Sequence, residues 1–97
     1  MRVISLKGLG SCWERHPASE QPLRAWSHEV EAEEWATPHD LRRRYGTASI
    51  LGGGRVVFSV GANRYRVVAH VRYDLGRVYV RFAGTHAEYD RIDAETI

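Results

Sequence analysis

The stretch RVVFSVGANRYRVVAHVRYDLGRVYVRF, from Arg55 to Phe82, decides how this chain folds. Within it Arg64, Arg66, Val68, His70 and Arg72 alternate with Tyr65, Val67, Ala69, Val71 and Tyr73. Further on, Arg77, Tyr79 and Arg81 alternate with Val78, Val80 and Phe82. Successive side chains of a β-strand point to opposite faces, so this period of two predicts strands with one apolar and one cationic side. Gly61-Ala62-Asn63 and Asp74-Leu75-Gly76 are rich in tight-turn residues and separate the strands as an antiparallel meander. Such strands side by side give a sheet with one face to be packed and one face covered in guanidinium groups. A surface of that kind attracts a polyanion.

Ahead of this stretch, Ala48 to Leu51 followed by Gly52-Gly53-Gly54 predicts a short strand turning back into the one that starts at Arg55. Before Gly46 the period changes from 2 to 3.6. Ser11 and Glu14 fit a capping box for a short helix closed by Pro17. Ser19 opens a second helix reaching about Trp35, with Leu23, Trp26 and Val30 on one stripe and Glu29, Glu31, Glu33 and Glu34 mostly away from it. Thr37-Pro38-His39-Asp40 is a helix start, with threonine as cap and proline in the first helical position, giving a third helix over 38–45. Met1 to Leu6 opens as a short strand, and Thr85 to Asp93 reads as a loop and a helical turn before a polar tail. The fold class is therefore α+β: N-terminal helices packed on a small, mostly antiparallel C-terminal sheet, in one domain spanning residues 1–97.

Charge sharpens the functional reading. The net charge of +2 is unevenly spread. Residues 1–47 hold seven cationic and seven acidic groups, whereas residues 48–86 hold six arginines against Asp74 alone. Arginine suits bidentate contact with phosphate. No apolar run approaches the roughly 20 residues of a membrane span, and the N-terminus lacks the pattern of a signal peptide. Cys12 stands alone, which excludes an internal disulfide and fits a reducing cytoplasm. Cys12 and His16 have the spacing of two zinc ligands but no second pair, so no metal and no cofactor is expected. Trp13, Trp26 and Trp35 fall in the helical half, as core or partner contacts.

Several short runs carry a family resemblance. Asn63-Arg64-Tyr65-Arg66-Val67-Val68, Val80-Arg81-Phe82 and above all Gly84-Thr85-His86-Ala87-Glu88-Tyr89-Asp90 resemble the HigB toxins of bacterial type II toxin–antitoxin systems. Met1-Arg2-Val3-Ile4 and Trp13-Glu14-Arg15-His16-Pro17 are similar too, so the likeness covers nearly the whole chain. It implies a RelE/ParE-like fold and an mRNA interferase, an endoribonuclease that cuts messenger RNA, typically on the translating ribosome. It also implies a cognate HigA-like antitoxin with a helix-turn-helix domain, through which the toxin–antitoxin complex binds operator DNA. Lysines common near the scissile phosphate in RelE-like enzymes are absent here, since Lys7 is the only one.

Metal-independent RNA cleavage uses the substrate's own 2′-hydroxyl as nucleophile. It needs proton transfer at that hydroxyl and at the leaving 5′-oxygen, and positive charge around the transition state. Arg66 and Arg81, mid-strand on the cationic face, are the expected phosphate grips, and the resemblance supports Arg66. His86 follows a strand end beside Gly84, and an imidazole exchanges protons near neutral pH. Tyr89 is placed either to stack on a base or orient the 2′-hydroxyl, or to pack the tail against the sheet as an aromatic plug. Arg64, His70, Arg72 and Arg77 complete an RNA-binding face. The groups at 66, 81 and 86 are expected to converge on one anionic pocket on the uncovered side of the sheet. Two other functions fit the same fold: a ParE-like, gyrase-directed toxin without nuclease activity, and a plain RNA-binding module, ranked last because only Tyr79 offers an aromatic ring on the cationic face.

Overall fold

The computed structural model describes all 97 residues, Met1–Ile97. Strand β1 (Arg2–Ile4) leads into helix α1 (Gly8–Arg15), and a 3₁₀ turn (Pro17–Ser19) into α2 (Glu20–Glu31); α3 (Pro38–Arg44) follows. Then come β2 (Ser49–Ile50), a turn at Gly52–Gly54, β3 (Arg55–Val60), β4 (Tyr65–Arg72), β5 (Arg77–Thr85) and the one-turn helix α4 (His86–Tyr89). The sheet runs β1-β5-β4-β3-β2. Its neighbours pair antiparallel except β1, which lies parallel to β5. Helices first and a mostly antiparallel sheet second is the order that the change of period predicts. No helix is long and apolar enough to cross a membrane.

The main core lies between the helices and one face of the sheet. Leu9 and Cys12 from α1, Leu23, Trp26 and Val30 from α2, and Leu41 from α3 meet Val56, Phe58 and Val60, Val67, Ala69 and Val71, and Val78 and Ala83. Phe58 is fully buried at the centre, with Trp26 edge-on at 5.1 Å and Tyr45 edge-on at 5.4 Å. Each such large side chain contributes about 1.5–3 kcal/mol on burial. The i, i+3, i+7 stripe of α2 is the part of the helical layer that faces this core.

The regular alternation breaks at one place. Val68 pairs with Phe82 and Ala69 with Val80, so Arg81 is an extra residue on β5. An inserted residue shifts the parity of every later position in its strand. Val78 and Val80 therefore face the helices as expected, but Phe82 does not. It packs on the opposite side of the sheet with Val57 and Val68. That side is not bare either: Tyr89, Ile92, Ala94 and Ile97 close over Val57, Val68 and Phe82 as a second, smaller apolar cluster. The expectation of a wholly uncovered cationic face is corrected on both counts, because the tail has enough apolar residues to use the surface that Phe82 and two valines present.

The helix boundaries also shift. Helix α1 starts at Gly8 after Lys7, which caps it with no side-chain bond; the Ser5 hydroxyl further upstream accepts from Leu9 N–H at 3.0 Å. Ser11 sits inside that helix and accepts from Arg15 Nη1 at 2.7 Å, so the capping box expected at Ser11 and Glu14 does not form. Helix α2 ends at Glu31, short of Trp35. The Met1 amino group donates to Glu33 O and Trp35 N–H reaches Met1 Sδ, which ties this segment to the chain start and sinks the Trp35 ring into the core. Thr37 caps α3 as expected, accepting from Asp40 N–H at 3.3 Å.

Candidate nucleic-acid interface

The β3–β4 turn organises one end of the open face. Gly61, Ala62 and Asn63 have φ of 65°, 54° and 70°, and asparagine tolerates this left-handed region better than most residues. The resulting loop points Asn63 at two of the expected site residues. Arg66 Nη1 donates to Asn63 Oδ1 at 2.8 Å, and the His86 ring nitrogen Nε2 bonds the Asn63 carbonyl. Register brings them together from the other side: Arg66 lies opposite Gly84 and Tyr65 opposite Thr85, so His86 emerges beside the start of β4. Arg66 is half-buried and His86 exposed. A fixed guanidinium beside an imidazole at the edge of an open surface can hold a phosphate and move a proton at it.

Helix α4 holds His86 in that position. Thr85 Oγ1 accepts from Glu88 N–H at 3.3 Å, and Glu88 Oε1 accepts from Thr85 N–H at 2.9 Å, a complete capping box. Glu88 also binds Arg15 Nε at 3.0 Å and His16 Nε2 at 3.2 Å, which fastens α4 to the end of α1. The Thr85 backbone and the Arg15 guanidinium hold the Glu88 carboxyl down to about 2. So weak a base, with its oxygens occupied, orients the site rather than accepting a substrate proton. Gly84 makes room for this arrangement: a Cβ there would lie 2.6 Å from Glu88 Oε1 and 2.7 Å from Phe82 Cζ.

The other end of the face is organised by a cross-strand row. Arg55, His70 and Tyr79 are directly opposite one another on β3, β4 and β5. Arg77 Nη1 donates to the Tyr79 hydroxyl at 3.2 Å, while Arg55 Nε and Nη2 donate to Ile97 O at 3.1 and 2.8 Å. Burial first, and then the charges of Arg55, Arg81 and Arg72, push the His70 imidazole below its ordinary value. The Gly52-Gly53-Gly54 turn lies against this histidine; Gly54 has φ of 75°, and a Cβ would come within 2.7 Å of the His70 ring.

Arg66 and His86 thus come together, and Arg81 stands apart from them. It is exposed at the β5 irregularity, three residues before Gly84, which at about 3.3 Å per residue is a separation of roughly 10 Å. Arg72 forms a bidentate pair with Asp74 at 2.8 and 3.0 Å, so its guanidinium is committed to the β4–β5 turn. Arg64 is exposed in the β3–β4 turn with no side-chain partner. The Tyr89 ring packs in the second cluster, and its hydroxyl makes no hydrogen bond within the chain. Asn63, Arg15, His16 and Glu88 were not singled out from the sequence as site residues. Glu88 had a signal, since threonine followed three residues later by glutamate is the capping-box pattern; Asn63 had none beyond its suitability for a turn.

The sequence profile of the HigB toxin family, described as the RelE-like toxic component of a toxin–antitoxin system, matches residues 19–92. A protein of Escherichia coli O6:H1 (strain CFT073) named mRNA interferase HigB is 24% identical over 94 residues, covering 95% of this chain and 91% of that protein. The mRNA interferase toxin HigB of Escherichia coli K12 is 29% identical over 92 residues, covering 93% of this chain and 88% of its own length. The mRNA interferase HigB of Shigella flexneri aligns with the same identity and coverage.

Proposed function

The chain belongs to the HigB family, the RelE-like toxic components of toxin–antitoxin systems, and on that basis we propose that it is an endoribonuclease that cleaves messenger RNA in the cytoplasm. The names of its relatives, mRNA interferases, support this reading over a gyrase-directed toxin of the same fold. The observation that carries it is the shared anchor of Arg66 and His86 on Asn63.

In this reading the scissile phosphate sits on Arg66, whose guanidinium neutralises charge as the 2′-hydroxyl attacks. The 2′-hydroxyl releases its proton to solvent water as it attacks, and His86 donates a proton to the departing 5′-oxygen, leaving a 2′,3′-cyclic phosphate and a free 5′-hydroxyl. The Tyr89 hydroxyl, its ring fixed against the sheet, orients the nucleophile. Arg64 and Arg81 add charge that draws RNA to the face. Programmed ribosomes supply the alignment of substrate that an open surface lacks, and a helix-turn-helix antitoxin is the partner that silences the activity and carries the pair to operator DNA.

The test is cleavage of an mRNA on translating ribosomes, with the new ends analysed chemically. Cyclic phosphate ends made by wild type, and a loss of about 10²–10³-fold in rate on His86→Ala, are expected. Intact mRNA with correctly folded wild-type protein, or full activity of His86→Ala, would overturn the mechanism.

A further inference from the structure

We propose that Arg81, His70 and Tyr79, with Arg55 behind them, form a second phosphate-binding subsite that takes a flanking phosphate of the RNA rather than the scissile one. This deepens the nuclease reading and rests on it for the identity of the ligand as RNA.

The geometry starts from the irregularity in β5. An inserted residue bends its strand and re-aims the side chain it carries. Arg81 is that residue, exposed and without any hydrogen bond or ion pair to the rest of the chain, and it adjoins Val80, the neighbour of Tyr79. Tyr79 and Arg55 flank His70 in the cross-strand row, and the Tyr79 ring is 6.4 Å from the His70 ring. No carboxylate side chain bonds Arg81, Arg55 or His70; Arg55 is held only by Ile97 O and Gly53 O. Positive charge has therefore been gathered around a histidine without a side-chain counter-ion; burial first, and these charges second, disfavour that histidine's own proton. An anion entering the row relieves this repulsion. Phosphate fits the donor set of one guanidinium, one imidazole N–H and one phenol, and the half-buried Tyr79 ring beside it offers its open side as a platform for a base.

His70 is four residues from Arg66 along β4, on the same face, which places the two sites about 13 Å apart. Between them lies the apolar patch of Val68 and Phe82 with the tail segment over it. A strand of RNA that spans both cationic ends passes over the tail segment that covers this patch. Arg72 is left out of the subsite because Asp74 already holds it.

A fully 2′-O-methylated RNA oligonucleotide, which cannot be cleaved by this chemistry, provides the direct probe. Its binding is measured by fluorescence anisotropy over a range of KCl for wild type, Arg81→Gln and Arg42→Gln. Arg42 is an exposed arginine on α3 with no partner, so it reports the effect of losing one charge anywhere. Arg81→Gln is expected to weaken binding about tenfold and to lower the slope of log K against log salt by roughly 0.7, while Arg42→Gln changes neither. On programmed ribosomes Arg81→Gln is expected to raise KM with kcat within about threefold of wild type. Equal affinities for the three proteins overturn the subsite. So does a collapse of kcat in Arg81→Gln at unchanged KM, which would return Arg81 to the scissile phosphate. Wild-type protein that binds the oligonucleotide with the expected Arg81 dependence but cleaves nothing supports the subsite and refutes the nuclease reading.

Discussion

Asn63 accepts a hydrogen bond from Arg66 through its side chain and one from His86 through its backbone, from a φ of 70° that few residues other than glycine and asparagine adopt readily. Asn63→Gly therefore keeps the turn and removes only the hold on Arg66. The expected result is a fall in cleavage rate of about tenfold with a melting temperature close to wild type, read from single-turnover cleavage and calorimetry on the same preparations. A wild-type rate would show that Arg66 needs no such support. At the other end of the face, the His70 imidazole should titrate below 6.5 by NMR, and its midpoint should rise when Arg81→Gln removes one of the charges acting on it. Neither property was legible in the sequence. The roles of Asn63 and His70 depend on which residues register brings opposite them, and alternation gives the face of a side chain but not its neighbour.

At the scale of elements, α4 is a four-residue helix that cannot persist by itself. Its capping box and the Glu88 bonds to Arg15 and His16 supply the missing constraint. Glu88→Ala should destabilise the protein by about 1 kcal/mol, seen as a melting temperature lower by roughly 4–8 °C. Because folding depresses the Glu88 carboxyl from 4.5 to about 2, its contribution is present at neutral pH and is lost as pH falls through that interval. Acid titration of stability should therefore be flatter between those values in Glu88→Gln than in wild type. Gly84→Ala pushes a methyl group against Glu88 and Phe82, and a cost of about 1–3 kcal/mol is expected from equilibrium unfolding. Elements were the most legible level. Strand period, turn residues and the Thr37 cap all appear where the sequence places them. The parity shift at Arg81 did not show, because a single inserted residue leaves hydrophobic alternation intact on either side of it and only pairing reveals the slip.

For the whole molecule, the two faces of the sheet have unequal roles. The helical side carries the stability, with 16 buried residues in one cluster; the other side is divided into two cationic ends and an apolar middle. Of that middle only Tyr89, readable as a plug between tail and sheet, was legible, because Ile92, Ala94 and Ile97 are scattered through a polar tail with no period to mark them. Ala94 is 8% exposed, so Ala94→Asp should loosen the tail from the sheet and lower stability by about 2 kcal/mol, with the melting point falling by roughly 10 °C.

The central claim, that Arg66 and His86 act as one unit on a single phosphate, is tested most directly by a double-mutant cycle of mRNA cleavage rates on programmed ribosomes. Residues that serve one transition state are strongly non-additive. If the claim holds, Arg66→Ala and His86→Ala each reduce the rate by about 10²–10³-fold, and the double variant is scarcely slower than the worse of the two. Effects that multiply in full would mean that the two side chains act at separate places, and the proposed site would have to be abandoned.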